Sequence, residues 1–127
     1  MQLVENTPGG ILYVRHCAVD RIVVVDRTMI CSFLLAPEQL TDDWPVTDAN
    51  QLEATHAQAL LVLQPEVVLL GTGARQSFPP AVFSAAFLTR GIGIEAMDNA
   101  AAARTFNVLA GEGRRVVAAF ILPAERG

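Results

Sequence analysis

Pro65-Glu66-Val67-Val68-Leu69-Leu70-Gly71-Thr72-Gly73 and, one helical stretch later, Arg90-Gly91-Ile92-Gly93-Ile94-Glu95-Ala96-Met97-Asp98 decide the fold of this chain. Each is an apolar run that breaks at a glycine-rich or polar turn and feeds an amphipathic helix, which is how a parallel βαβ sheet reads in sequence. Val67 to Leu70 shows no alternation of polar and apolar residues, as expected of a central strand covered on both faces. Ile92 to Met97 is its expected parallel neighbour, and Val116 to Leu122 supplies the third strand of a βαβαβ core. The intervening helix is expected to begin at Pro79-Pro80, because a first turn tolerates proline. Ser77 is its expected cap, and Val82, Phe83, Ala86 and Phe87 its buried stripe. Gly91 ends that helix. Asp98 caps the next one, which extends to about Ala110 and closes at Gly111 and Gly113.

Working outward, Ile11 to Leu35 is rich in Val, Ile, Phe and Tyr and is interrupted twice by polar residues. It reads as antiparallel strands over Ile11 to Arg15, Arg21 to Val25 and Thr28 to Leu35, with a tight turn at Asp26-Arg27. Pro37 to Thr47 is a polar connection whose lone Trp44 is expected to fold back onto the core. A helix should start near Asp48, with Gln51 completing a capping box, and run to about Leu63, where Pro65 stops it. Leu52, His56, Leu60 and Leu63 share one face of it, which makes His56 a boundary residue with one nitrogen satisfied. The fold class is therefore α/β with three layers: a mixed central sheet containing the parallel core, plus an N-terminal antiparallel hairpin layer. Residues 1–127 form one domain.

A net charge of −4 and a pI near 5.0 exclude a general attraction to nucleic-acid phosphates. All nine basic residues are arginines, so Schiff-base chemistry and a phosphate-loop lysine are ruled out. The start Met1 to Pro8 lacks a basic segment and an apolar stretch of signal length, and no apolar run is long enough to span a bilayer. The expectation is a cytoplasmic protein without membrane insertion, in which Cys17 and Cys31 are reduced thiols lying in strands with packing roles.

Ligands of open α/β sheets collect at the carboxyl ends of the strands. The candidate binding surface is accordingly Gly71, Thr72, Gly73, Arg75 and Gln76 from one loop, with Asp98, Asn99, Arg104 and Asn107 from the next strand-helix junction. Structural roles stand beside this one: Asp98 as a cap, Arg104 paired with an acid such as Glu95, Asn107 tying down a loop, and Gly71 and Gly73 needing positive φ or close approach. A dinucleotide fingerprint is suggested by Gly71-Thr72-Gly73 and by Glu95 at the end of the next strand. It fails at Gln76, where a third glycine is needed, and Ser77 to Pro80 delay the helix. No serine, cysteine or threonine sits in a nucleophile-elbow pattern, and two histidines, His16 and His56, make a triad hard to assemble. A carboxylate pair such as Glu95 with Asp98 is a candidate for acid-base work, though each has a structural explanation. Arg15, Arg21 and Arg27 lack the interleaved aromatics of a nucleic-acid surface. No catalytic residue, metal site or cofactor is expected.

Trp44-Pro45, Pro65-Glu66 with the run to Gly73, Phe78-Pro79-Pro80, Gly91 to Asp98, Arg104-Thr105-Phe106-Asn107 and Glu112-Gly113-Arg114 resemble a family of small domains of unknown function. That family includes the mitochondrial assembly factor of respiratory complex I and the adipogenesis-associated domain protein of animals. The resemblance covers about residues 20–122. It departs at Ala103 and Phe106, where cysteine and tyrosine are expected, and at Asn99-Ala100, where threonine and glycine are. It implies a three-layer α/β domain and a non-enzymatic role in binding or assembling another protein. The alternative is a small anionic metabolite or nucleotide held in the strand-end crevice by Arg75 or Arg104. The expected assembly state is a monomer or weak homodimer.

Overall fold

The computed structural model describes residues 10–123. Its centre is a five-stranded mixed sheet in the order β5-β4-β8-β6-β7. β6 (Val67–Gly71) lies between β7 (Gly93–Met97) and β8 (Val116–Phe120), parallel to both. β4 (Phe33–Ala36) runs antiparallel to β8 and to β5 (Gln39–Thr41). A second, three-stranded antiparallel sheet consists of β1 (Val14–Cys17), β2 (Ile22–Val24) and β3 (Arg27–Met29). The mixed sheet, the parallel core and the separate hairpin layer of the sequence reading are all present.

Two cores flank the central sheet, as the alternation of side chains in β6 requires. Val68 and Leu70 point into one, with Phe83, Phe87, Leu60 and Trp44. Leu69 points into the other, with Phe106, Phe33, Phe120 and Ile22. α1 (Ala54–Leu61) and α2 (Ala81–Leu88) therefore cover the first face, and α3 (Asn99–Gly111) shares the second with the small sheet. Phe33 and Phe120 stack at 5.1 Å, and Phe83 meets Phe87 edge-on at 5.2 Å. Such pairs add about 0.5–1.5 kcal/mol to the burial of the rings themselves.

Several boundaries differ from the sequence reading. The apolar stretch Thr28 to Leu35 is two strands in two different sheets, and Cys31, expected in a strand and packed, lies exposed in the bend between them. The break is held by buried Ser32, whose hydroxyl donates to the Val46 carbonyl at 2.5 Å and accepts from the Leu122 amide at 2.8 Å. The hairpin turns at Val25-Asp26 rather than Asp26-Arg27, with Val25 in the left-handed region at φ 56°. The first strand begins at Val14, and the connection Pro37 to Thr47 contains β5. The helix expected from Asp48 is two pieces. Asp48 and Gln51 do form the capping box, but on a short 3-10 helix, Ala49–Gln51. Leu52 is extended and α1 restarts after Glu53. His56 Nδ1 accepts from the Glu53 amide at 2.9 Å while its ring meets buried Trp44 edge-on, so one of its nitrogens is satisfied. α2 starts after Pro80, so Ser77 is not its cap, and Val82 is exposed rather than buried.

Candidate functional site

The carboxyl ends of β6 and β7 bring the loop after β6 against the start of α3. Gly71 closes β6 where there is no room for a side chain: a Cβ there would overlap Asn99 Oδ1 and press on the Phe120 ring. Gly73 has φ 98°, which a glycine adopts without penalty. Between them, Thr72 donates its amide to the Met97 carbonyl at 2.9 Å. Its hydroxyl donates to the Arg75 carbonyl at 2.7 Å and accepts from the Ser77 amide at 3.1 Å.

Asp98 caps α3, its Oδ1 accepting from the Ala101 amide at 2.8 Å. Asn99 is buried and fully engaged. Its amide donates to the Gly73 carbonyl at 2.8 Å, its Oδ1 accepts from the Gly73 amide at 3.1 Å, and its Nδ2 donates to the Ile121 carbonyl at 3.0 Å. One side chain thus ties the loop to the end of β8. Gln76 reaches sideways, its Nε2 donating to the Ala96 carbonyl of β7 at 2.9 Å.

Seven of the nine candidate residues, Gly71, Thr72, Gly73, Arg75, Gln76, Asp98 and Asn99, therefore converge. Arg104 and Asn107 do not. Asn107 faces β1, accepting from the Val14 amide at 2.8 Å and donating to the Val14 carbonyl at 2.9 Å, so it bolts α3 to the small sheet. Arg104 is exposed further along α3, and among the described residues it forms no ion pair, with Glu95 or any other acid. Their positions six and nine residues beyond the cap carry them away from the rim.

The rim holds two adjoining depressions. One, of about 220 Å³, lies between Ala18 and Val19 of the β1-β2 turn and Gly73, Ala74 and Asp98. The other, about 810 Å³, runs between Asp48 to Asn50 and Thr72 to Ser77, with Leu122 in its floor, and shares Val19, Gly73 and Ala74 with the first. Cys17, Val19, Asp48 and Asn50 were missed as site residues by the sequence reading, because they arrive from the β1-β2 hairpin and the 3-10 segment, far away in the chain. Only Asp48 left a signal there, as a cap. Burial, with a smaller contribution from the negative charge of Asp98, pushes the Cys17 thiol above its ordinary range. A wall with Asp48 and Asp98 against the single cation Arg75 is poorly suited to an anion. Among the described residues no three His, Cys, Asp or Glu side chains gather where they could hold a metal ion. No helix there is long and apolar enough to cross a membrane.

The same architecture occurs in solved structures. The Xanthomonas campestris protein XCC1710 is 48% identical, with a TM-score of 0.83 over 91% of this chain and 88% of that one. A Bordetella pertussis protein described as an Mth938-like domain is 29% identical, with a TM-score of 0.80 over 98% of this chain and 94% of that one. A Francisella tularensis protein named 13 kDa major membrane protein is 30% identical over 71 residues, so that the match spans 56% of this chain and 58% of that protein's length. Residues 14–121 match the profile described as protein of unknown function (DUF498/DUF598), and the chain belongs to that family.

Proposed function

We propose that this chain is a non-catalytic, cytoplasmic protein-binding module, assembly-factor-like in its role, whose partner seats in the strand-end crevice. One observation carries the reading: the polar side chains that converge there are used to hold the crevice together. Thr72, Gln76, Asp98 and Asn99 all spend hydrogen bonds on backbone groups of the chain itself. What faces outward is backbone, Ala18, Ala74, exposed Val19, Asn50 and Arg75, with the capping carboxylates of Asp48 and Asp98 in the walls. An open groove of about 810 Å³ with such walls suits a polypeptide segment better than a reacting small molecule. The name of the Francisella relative fits a partner at a membrane.

The test is a comparison of cross-linked lysates carrying the natural chain, Val19→Asp or Arg75→Glu. The reading expects one adduct that both substitutions remove while the melting temperature stays within about 2 °C, as for exposed changes of small stability effect. Adducts that survive both substitutions would overturn it. A metabolite whose titration moves the amides of Gly73 and Asn99 together would favour the small-ligand alternative.

A further inference from the structure

Between Glu53 and Glu66, and again between Arg75 and Arg90, the chain carries no charged residue. These stretches contain α1 and α2, which pack side by side over one face of the central sheet. The two helices run the same way. α1 starts near the crevice, after the 3-10 helix, and ends where β6 begins; α2 leaves the loop after β6 and ends where β7 begins. Inward they bury Ala57, Leu60, Phe83 and Phe87. Outward, α2 is also apolar, with Ala81, Val82, Ala85 and Leu88 exposed. Of the eight large apolar side chains exposed among the described residues, four belong to these two stretches: Val62, Phe78, Val82 and Leu88. A helix apolar all round is ordinarily covered on all sides; α2 is covered on one.

The charges bound the two stretches, Glu53 before α1 and Arg75 in the crevice loop before α2, Glu66 and Arg90 beyond their far ends. That arrangement selects its own partner. A two-fold axis parallel to the helices lays α1 of one copy across α2 of the other. It sets Glu53 against Arg75 of the other copy, Glu66 against Arg90, and Val62 against Leu88. An axis across the helices would instead oppose Arg75 to Arg90, like on like, and would lose the Glu53-Arg75 pair. We infer that the α1-α2 layer is the docking face for a second copy of this chain, with the symmetry axis parallel to the helices. Glu66 already holds Arg114 at 2.8 Å, and beside it the Arg115 guanidinium donates to the Leu63 and Gln64 carbonyls, so that corner is not acidic and the selectivity rests on the Glu53-Arg75 corner.

Two helices of eight residues about 10 Å apart offer a footprint of roughly 12 Å by 20 Å per copy. That is about 240 Å² per copy, well below the low end of about 1,200 Å² in total for stable interfaces, so the dimer is weak and reversible and forms only towards the upper end of the concentrations below.

Sedimentation equilibrium of the full chain between about 10 µM and 1 mM tests this. The natural chain is expected to pass from monomer to dimer, with dilution-dependent amide shifts on the outer faces of α1 and α2. Leu88→Asp and Val82→Asp, both at exposed positions, are expected to weaken association at least about tenfold with unchanged circular dichroism. Arg75→Glu should weaken it about threefold or more, and Glu53→Arg added to it should restore it. A chain that stays monomeric at about 1 mM overturns the inference, as does a dimer indifferent to Leu88→Asp or dilution shifts centred elsewhere. A monomer that binds phosphatidylserine vesicles through Val82 and Leu88 would assign the face to a bilayer instead, and equally overturn it.

Discussion

Asn99 Oδ1 occupies the space that a Cβ at Gly71 would need, so the last residue of β6 and the first of α3 are fitted to one another. Gly71→Ala is expected to cost about 1–3 kcal/mol, the usual range for overpacking, because the obstacle is a buried carboxamide held by two hydrogen bonds. Asn99→Ala removes the obstacle but leaves the Gly73 amide and the Ile121 carbonyl without partners, at about 1–3 kcal/mol. The double substitution should cost less than the sum of the two. Urea denaturation of all four chains measures that coupling, and strict additivity would refute the fit.

Asp98 links helix capping to the thiol of Cys17. Asp98→Asn keeps a side-chain acceptor for the Ala101 amide and removes the negative charge, so stability should change by well under about 1 kcal/mol. The Cys17 thiol should then ionise at lower pH, because a negative neighbour opposes the thiolate. Thiolate absorbance against pH in a Cys31→Ser background reads this directly. Since folding raises the Cys17 value, its contribution to stability is present at lower pH and is lost as pH climbs through the folded value.

Glu66 titrates with the opposite sign. The Arg115 amide, then the Arg114 guanidinium, hold its carboxyl below its ordinary value of 4.5. Its contribution is present above that value and is lost as pH falls through the lower, folded one. Glu66→Gln is expected to flatten the acid limb of a stability-pH curve while leaving the limb above neutrality unchanged. An unaltered acid limb would show that the clasp contributes nothing.

Neighbouring residues of α2 should respond in opposite ways. Phe83 is completely buried and Val82 is half exposed. Phe83→Ala should cost about 3–5 kcal/mol, whereas Val82→Ala should stay within about 0.5 kcal/mol. Thermal unfolding of both variants checks the orientation of the helix.

Asn107→Ala should loosen the small sheet from α3 by removing both bonds to Val14. Faster amide exchange confined to β1 and β2 is the expected signature. Arg104→Ala, with no ion pair to lose among the described residues, should leave stability within about 0.5 kcal/mol.

The parallel core was legible because its strands are short apolar runs with glycine and proline punctuation, a local pattern. The split of Thr28 to Leu35 was not, because Ile30 to Ser32 include no glycine, proline, asparagine or aspartate to mark a turn. The break is imposed from outside, by the Ser32 hydroxyl bridging Val46 and Leu122. The Asp48-Gln51 box was read correctly, yet the length of what it caps was not, since Glu53 and His56 open a second helix just beyond Leu52. At the site, periodicity located both strand ends and therefore seven converging residues. It could not orient Arg104 and Asn107, whose direction depends on which side of α3 the small sheet occupies. Val19 and Asp48 reach the rim through tertiary topology alone.

The carboxamide of Gln76, lying on the outer carbonyl of Ala96, has a consequence for coexistence at high concentration. β7 is the last strand of its row, and an unguarded border of that kind invites foreign chains to zip on. With its far half stoppered by Gln76, the border offers an incoming strand little beyond Ile94. Without that carboxamide the outer carbonyl of Ala96 would stand open to an incoming backbone, so one side chain of the neighbouring loop does the guarding that charge or proline does on other borders.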